Sequence, residues 1–338
     1  MASLPTPAEI EEQEMHMHDN MAPNVIAANA VCFTIACIAV ILRFQARRMA
    51  KIRYEADDWL ILAGLFFTLG VVICALLGVR YGSGRHTILL KNPADIGKLL
   101  LSGEVIWGFA ISTIKGSLLY LYYRIFFVSR KFTIALCVVG VFVVCYCLTQ
   151  SFASIFQCMP VDSNWTIGVK HYCVNTDLGA TIIAGLNVLT DFAILILPMP
   201  LLYQLQKPLK ERIQIMGMFL LGGLVCFASI YRCVLTHEIS YTDPAWTDVR
   251  ATIWTTVELC IGVLSACLPT MRPLFSRSRG KQDPGAEQGQ EKSDSRGRSD
   301  QSLSLQESRS IPSQSKAFAH LGVLADVEHE QESAPEKW

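Results

Sequence analysis

Charge is scarce in this chain. Asp, Glu, Lys and Arg make up 17% of its 338 residues, against roughly 25% in a typical soluble domain. Lys and Arg are missing altogether from residues 1–24. The formal net charge is zero, which argues against a nucleic-acid partner, since that binding rests on Lys and Arg neutralising phosphates. The links between apolar runs carry no phosphate-cradling glycine loop, no zinc-ligand spacing, no GxSxG and no dinucleotide fingerprint. Nucleotide, zinc and nucleophile-elbow chemistry therefore lack sequence support. No cysteine precedes Cys32. The opening "EIEEQEMHMHD" has no basic region followed by an apolar one, so the expectation is that the first apolar run itself directs insertion, without a cleaved signal peptide. His16 and His18 in that stretch read as a solvated tail rather than metal ligands.

Apolar residues are what the chain has: 51% of the total. They gather in seven runs, Val25 to Leu42, Leu60 to Val79, Leu99 to Tyr123, Phe132 to Phe156, Leu178 to Leu202, Ile213 to Tyr231 and Ala251 to Leu268. A bilayer-spanning helix needs about 20 residues. Backbone polar groups in lipid must be satisfied within the segment, so each run is expected to be a helix. The reading is an all-α polytopic membrane protein with seven transmembrane helices, at about 25–46, 59–80, 99–124, 132–156, 178–202, 213–232 and 250–270. A short acidic extracellular N-terminus covers 1–24, the membrane domain 25–275, and a Ser-rich cytoplasmic tail 276–338. The tail holds many charges and few aromatics, which predicts disorder. Phosphorylation in "SRSRGK" or "SDSRGRSD" would give it a route to a cytoplasmic partner.

Basic residues orient the bundle, because Lys and Arg are retained on the cytoplasmic side. Arg47, Arg48, Lys51 and Arg53 lie between the first two runs, Arg130 and Lys131 between the third and fourth, and Lys207, Lys210 and Arg212 between the fifth and sixth. The other side holds Lys170 and Arg250, with Arg80, Arg85 and Lys91 as an exception. The N-terminus is thus expected outside and the C-terminus in the cytoplasm, in the plasma membrane or an endomembrane of the secretory system. The sequon Asn164-Trp165-Thr166 falls in an outer link, as a glycosylation site or a chance tripeptide. Cys158 and Cys173 bracket the same link. They are a disulfide candidate on an oxidising side, or two free thiols.

Ionisable residues at membrane depth are functional candidates. Lys115 and Asp191 fall at similar depths and can pair, with Asn187 one turn above Asp191. Glu104 and Lys115 are separated by close to three turns and share a face. Glu258 lies near mid-depth with Trp254 a turn above, and Arg232 can reach Glu104 or Glu258. These seven residues are the ligand-cavity candidates, and helix pairing is the alternative role. Asp57 and Asp58 open the second helix, where they read as its interfacial cap. Trp59 suits the headgroup layer, and the preceding basic cluster can hold the acids and anionic lipid. The seventh run has no lysine, so no Schiff base for retinal, and no cofactor, is expected.

Several pieces run in order: "ADDWLILAG" from Ala56, "YGSGRH" from Tyr81, "IKGSLLYLYYRIF" from Ile114, then Cys158, Pro160, Trp165 and Cys173. "NVLTDFAILILPMP" from Asn187, "ASIYRCV" from Ala228 and "WTTVELCIGVLSACLPTMRPLF" from Trp254 follow. In these pieces the chain resembles the fungal rhodopsin-like integral membrane family, across nearly all of residues 25–275. The resemblance implies seven helices and an outside N-terminus. It implies a receptor-like role that binds or senses a small molecule, in a family with members encoded in secondary-metabolite clusters. The cysteine-rich outer domain of some members is not expected here. An accessory intramembrane enzyme, in which Glu258, Glu104 or Asp191 donates a proton, is the alternative. A metabolite transporter is a third, against which the lack of an inverted repeat counts.

Overall fold

The computed structural model describes residues 20–86, 93–125, 130–165, 172–173, 176–200, 209–237 and 244–271. The chain divides into one unit over Met1–Gln282 and another over Asp283–Trp338, and every described residue lies in the first. The histidines of the N-terminal stretch, Lys207 and the Ser-rich tail lie outside the described residues.

Seven helices carry the described fold: α1 Ala22–Ala50, α2 Ala56–Tyr81, α3 Pro93–Ile125, α4 Arg130–Ile155, α5 Thr176–Ile196, α6 Leu209–His237 and α7 Pro244–Cys267. All seven are long and apolar enough to cross a membrane. A 3-10 turn, Leu268–Met271, continues α7. Proline opens α3 and α7, where its missing N–H has no helical partner to lose. Lys51 closes α1 with φ 55° and Gly82 closes α2 with φ 111°. Both are left-handed C-terminal stops that recover free carbonyls. The helices overrun the apolar stretches because polar end-turns keep their backbone bonds; α1 gains Arg43 and Arg47 this way.

Two helices stand inside the bundle. The most apolar windows of α3 and α7 are each 56% buried, against 28–33% for the other five. The longest interface is between α2 and α3; α1 lies against α7 and α2, and α6 against α5 and α7. Gly64 of α2 permits the first of these, since a Cβ there would stand 2.8 Å from Ile114 Cγ1. Among the glycines of α6, Gly222 faces Leu195 and Gly217 faces Leu268, whereas Gly223 meets nothing within 4 Å. Large apolar side chains cover the outside, Phe66 and Leu220 each being 70% exposed. That surface suits lipid rather than water.

The link after α2 ties the outer end together. Gly84 accepts from Met21 N–H at 3.0 Å and donates to Ala245 O at 2.9 Å, joining the starts of α1 and α7. Its φ is 93°, and a Cβ would stand 2.9 Å from the Ala22 nitrogen, so both conformation and space call for glycine. His86 stacks on Trp246 with ring centroids 4.6 Å apart. Beyond α4, β1 (Cys158–Met159) pairs antiparallel with β2 (Tyr172–Cys173). Cys158 and Cys173 are joined as a disulfide. Asn164 ends a 3-10 turn, Val161–Asn164, while Thr166 of its sequon lies outside the described residues.

Candidate functional site

At mid-bundle, four helices aim polar side chains at one another. Helical spacing puts Asn187 and Asp191 on one face of α5 and Ser229 and Arg232 on one face of α6. Lys115 of α3 donates to Asn187 Oδ1 at 2.7 Å, to Thr190 Oγ1 at 2.7 Å and to the Asn187 carbonyl at 3.1 Å. It also pairs with Asp191 Oδ1 at 2.9 Å. Asn187 Nδ2 donates to Glu258 Oε1 of α7 at 2.8 Å. Ser229 Oγ lies 2.7 Å from Asp191 Oδ2 and 2.6 Å from Glu258 Oε1. A hydroxyl has one proton, so Ser229 serves one carboxylate at a time. Arg232 Nε lies 2.9 Å from Glu258 Oε2. Two cations thus balance two anions, as burial demands, and Asn187, Ser229 and Glu258 are wholly buried.

Arg232 also belongs to the outer surface of this array. Its guanidinium carbon stands 3.9 Å from the centre of the Trp107 ring, within cation–π range. Arg232 and Trp107 line a cavity of about 320 Å³ bounded by α1, α2, α3, α5, α6 and α7. That volume is at the lower end of the small-molecule range. Glu104 and Asp248 line it too, among mostly apolar side chains. Glu104 accepts from Gln150 Nε2 at 3.3 Å, and Asp248 from Thr252 at 2.9 Å. A second cavity, of about 40 Å³, touches Lys115 and Asp191 from the other side.

A separate array fixes the inner end. Arg43 donates to Asp58 Oδ1 at 2.8 Å, to Asp57 Oδ2 at 2.5 Å and to the Ala266 carbonyl of α7 at 2.6 Å. Arg47 pairs with Asp57. Ser117 of α3 donates to the Asp57 carbonyl at 2.7 Å. Four helices meet here, again with two cations and two anions.

These positions revise several expectations. Asp57 and Asp58 are 0% and 1% exposed, enclosed between helices rather than open at the surface, and Arg47 of the preceding basic cluster does hold them. Glu55 is the residue before α2, and its N–H donates to Asp58 Oδ2 at 3.2 Å; Asp57 turns to the arginines instead. The reason is that α1 runs on past the apolar stretch and lays its last turns against the start of α2. Glu104 shares a helix with Lys115 but joins the cavity rather than the array, three turns being too far to touch. Trp254 packs on Tyr231 at 4.5 Å and Phe227 at 6.3 Å and lines neither cavity described above. Lys115, Asn187, Asp191, Arg232 and Glu258 are brought together. Arg43, Trp107, Ser229 and Asp248 are the members that the sequence reading passed over. Arg43, four residues before the Arg47 already set against the two acids, was a usable signal.

A seven-helix membrane protein with two neutral ion arrays, one beneath an open cavity, is the class these features define. A family model described as the fungal rhodopsin domain matches residues 42–277, and the chain belongs to that family. It is 27% identical over 270 residues to the polyenoic acids biosynthesis gene cluster protein Ba17b of Metarhizium anisopliae, covering 73% of this chain and 72% of that one. It is 26% identical over 274 residues to Receptor GIN3 of Arthrobotrys oligospora, over 76% of this chain and 63% of the receptor. A SAT4 family membrane protein of Emericella nidulans is 28% identical over 207 residues, 60% of this chain. The match spans about half, 52%, of the Emericella protein's length. The motif pieces that carried the resemblance supply the central array, Lys115, Asn187, Asp191, Ser229, Arg232 and Glu258, and the two acids of the inner one, Asp57 and Asp58, but not its arginines.

Proposed function

We propose that the chain is a receptor-like membrane protein that takes a small molecule into the outer cavity and passes its presence to the buried array. The observation that carries this reading is the double position of Arg232, which lines the cavity and pairs with wholly buried Glu258. A molecule that moves Arg232 changes the field on Glu258. Ser229, shared between Glu258 and Asp191, then has a reason to change partner. A sensor needs such a two-state element, biased by its ligand. The receptor named among the relatives supports the reading.

The cavity can be closed from within. Gly103 lines it, and a Cβ there meets only Cys74 Cβ, at an ordinary 3.6 Å. Gly103→Phe should fill the space without disturbing the helices. In a deletion strain, this variant should reach normal membrane levels yet fail to restore the lost phenotype. Full restoration would refute the cavity as the working site.

The cluster-encoded relatives favour one second reading, an accessory enzyme of a small-molecule pathway. Glu104, set in a largely apolar cavity, would be its proton donor. Glu258 is enclosed and does not line that cavity. An uncyclised precursor accumulating in a Glu104→Gln strain would favour the enzyme; an unchanged metabolite profile would leave the receptor.

A further inference from the structure

We infer that the outer cavity selects a small amphiphile bearing a protonated amine, held by Glu104 and Asp248, with a hydrogen-bond acceptor at the Trp107 indole. This rests on the cavity being a binding site, as proposed above, and adds the chemistry of its occupant.

The cavity lining contains two carboxylates, Glu104 and Asp248, and one cation, Arg232. Arg232 is already committed to Glu258 at 2.9 Å. The hydrogen bonds to Glu104 and Asp248 come from neutral groups, the Gln150 amide and the Thr252 hydroxyl. Among the described residues neither carboxylate has a cationic partner. Lys98 and Arg250, basic residues of the outer end, do not line the cavity. The result is two carboxyl groups with no cation of their own in a space otherwise walled by side chains such as Val71, Ile96 and Leu99, and a bound cation would favour their ionised form. In such surroundings charges act more strongly than in water. An ammonium group is attracted, a carboxylate is repelled, and an alcohol leaves both acids uncompensated.

The second observation is independent of the acids. Trp107 is 3% exposed and lines the cavity, yet its indole Nε1 has no acceptor among the described residues. A buried donor without a partner is uncommon in a folded protein and marks a place for an added group. Arg232 covers the face of this ring, and Nε1 lies just beneath the cavity surface, so an occupant would reach it through a small shift of the neighbouring side chains. A hydroxyl, ether or carbonyl oxygen on the occupant would complete it.

The test uses the full chain purified in detergent and a matched set of probes: 2-phenylethylamine, 2-phenylethanol, phenylacetate, and the 4-methoxy derivative of the amine. Binding is read as a saturable rise in melting temperature. The amine should stabilise the protein, the alcohol and acid should not, and the methoxy oxygen should tighten binding. Glu104→Gln and Asp248→Asn should each weaken the amine roughly ten-fold or more, the scale of one charge-assisted hydrogen bond. Gly103→Phe should abolish it. Acid or alcohol binding as tightly as the amine, or amine binding unchanged in both carboxylate variants, overturns the inference about charge. If that binding is still lost in Gly103→Phe, the cavity reading survives. Amine binding that ignores Gly103→Phe overturns both. No stabilisation by either amine overturns the inference for the wild-type chain.

Discussion

Arg43 is the residue on which α1, α2 and α7 meet, through Asp57, Asp58 and the Ala266 carbonyl. Its removal leaves two buried carboxylates to share Arg47. Breaking a buried pair from one side costs roughly 3–5 kcal/mol. Arg43→Met should therefore lower the melting temperature of the detergent-purified protein sharply, or its yield. Arg48→Ala, one turn on but exposed, should change stability by about 0.5 kcal/mol or less. Equal effects would mean that the inner array is incidental. Lys115 and Asp191 invite the same logic in a cycle. Each single change, Lys115→Met or Asp191→Asn, strands a buried charge, and the double change strands none. The double variant should be more stable than the sum of the singles by about 1–3 kcal/mol. Additive singles would deny the pair at 2.9 Å.

At the scale of elements, the α2–α3 interface depends on absent side chains. A Cβ on Gly64 would press on buried Ile114, which has nowhere to go. Gly64→Ala should cost about 1–3 kcal/mol by overpacking. Gly140 of α4 meets nothing within 4 Å, and Gly140→Ala there should be neutral or mildly stabilising through helix propensity. The outer link is held differently. The Cys158–Cys173 bridge closes a separation of 15 residues, worth roughly 3 kcal/mol on a chain-entropy model. Cys158→Ser should lower the melting temperature and remove the mobility difference between reduced and unreduced protein on a denaturing gel.

The same scale shows what could be read in advance. Seven apolar runs were legible because bilayer thickness sets helix length, and that signal survives one or two buried charges such as Glu258. Helix ends were not, since a polar turn is as good a helix as an apolar one. The basic cluster that the sequence sets against Asp57 and Asp58 includes Arg47, whereas Arg43, just past the apolar run, carries no such mark although it lies inside α1. The sequence thus shows Asp57 and Asp58 as capping acids beside basic residues, but not how fully the neighbouring helices enclose them. The Lys115–Asp191 pairing followed from matching depths, because depth is linear in residue number. Which carboxylate would take Arg232 depended on helix rotation, which spacing along one chain does not contain.

For the whole molecule, the two arrays divide the bundle's work. The inner one clamps α1, α2, α3 and α7 together, and its members line neither of the two cavities described above. The central one sits between an outer cavity and a smaller inner one, touching the first through Arg232 and the second through Lys115 and Asp191. If occupancy of the outer cavity is what the protein reports, the route inward passes through Arg232 and Glu258. The measurement that tests this most directly is complementation of a deletion strain by the double variant Arg232→Met, Glu258→Gln. Removing both partners leaves no stranded charge, so the protein should reach the membrane at near-normal levels. The account predicts that it is present there and fails to restore the phenotype. Full restoration at matched membrane levels would contradict it.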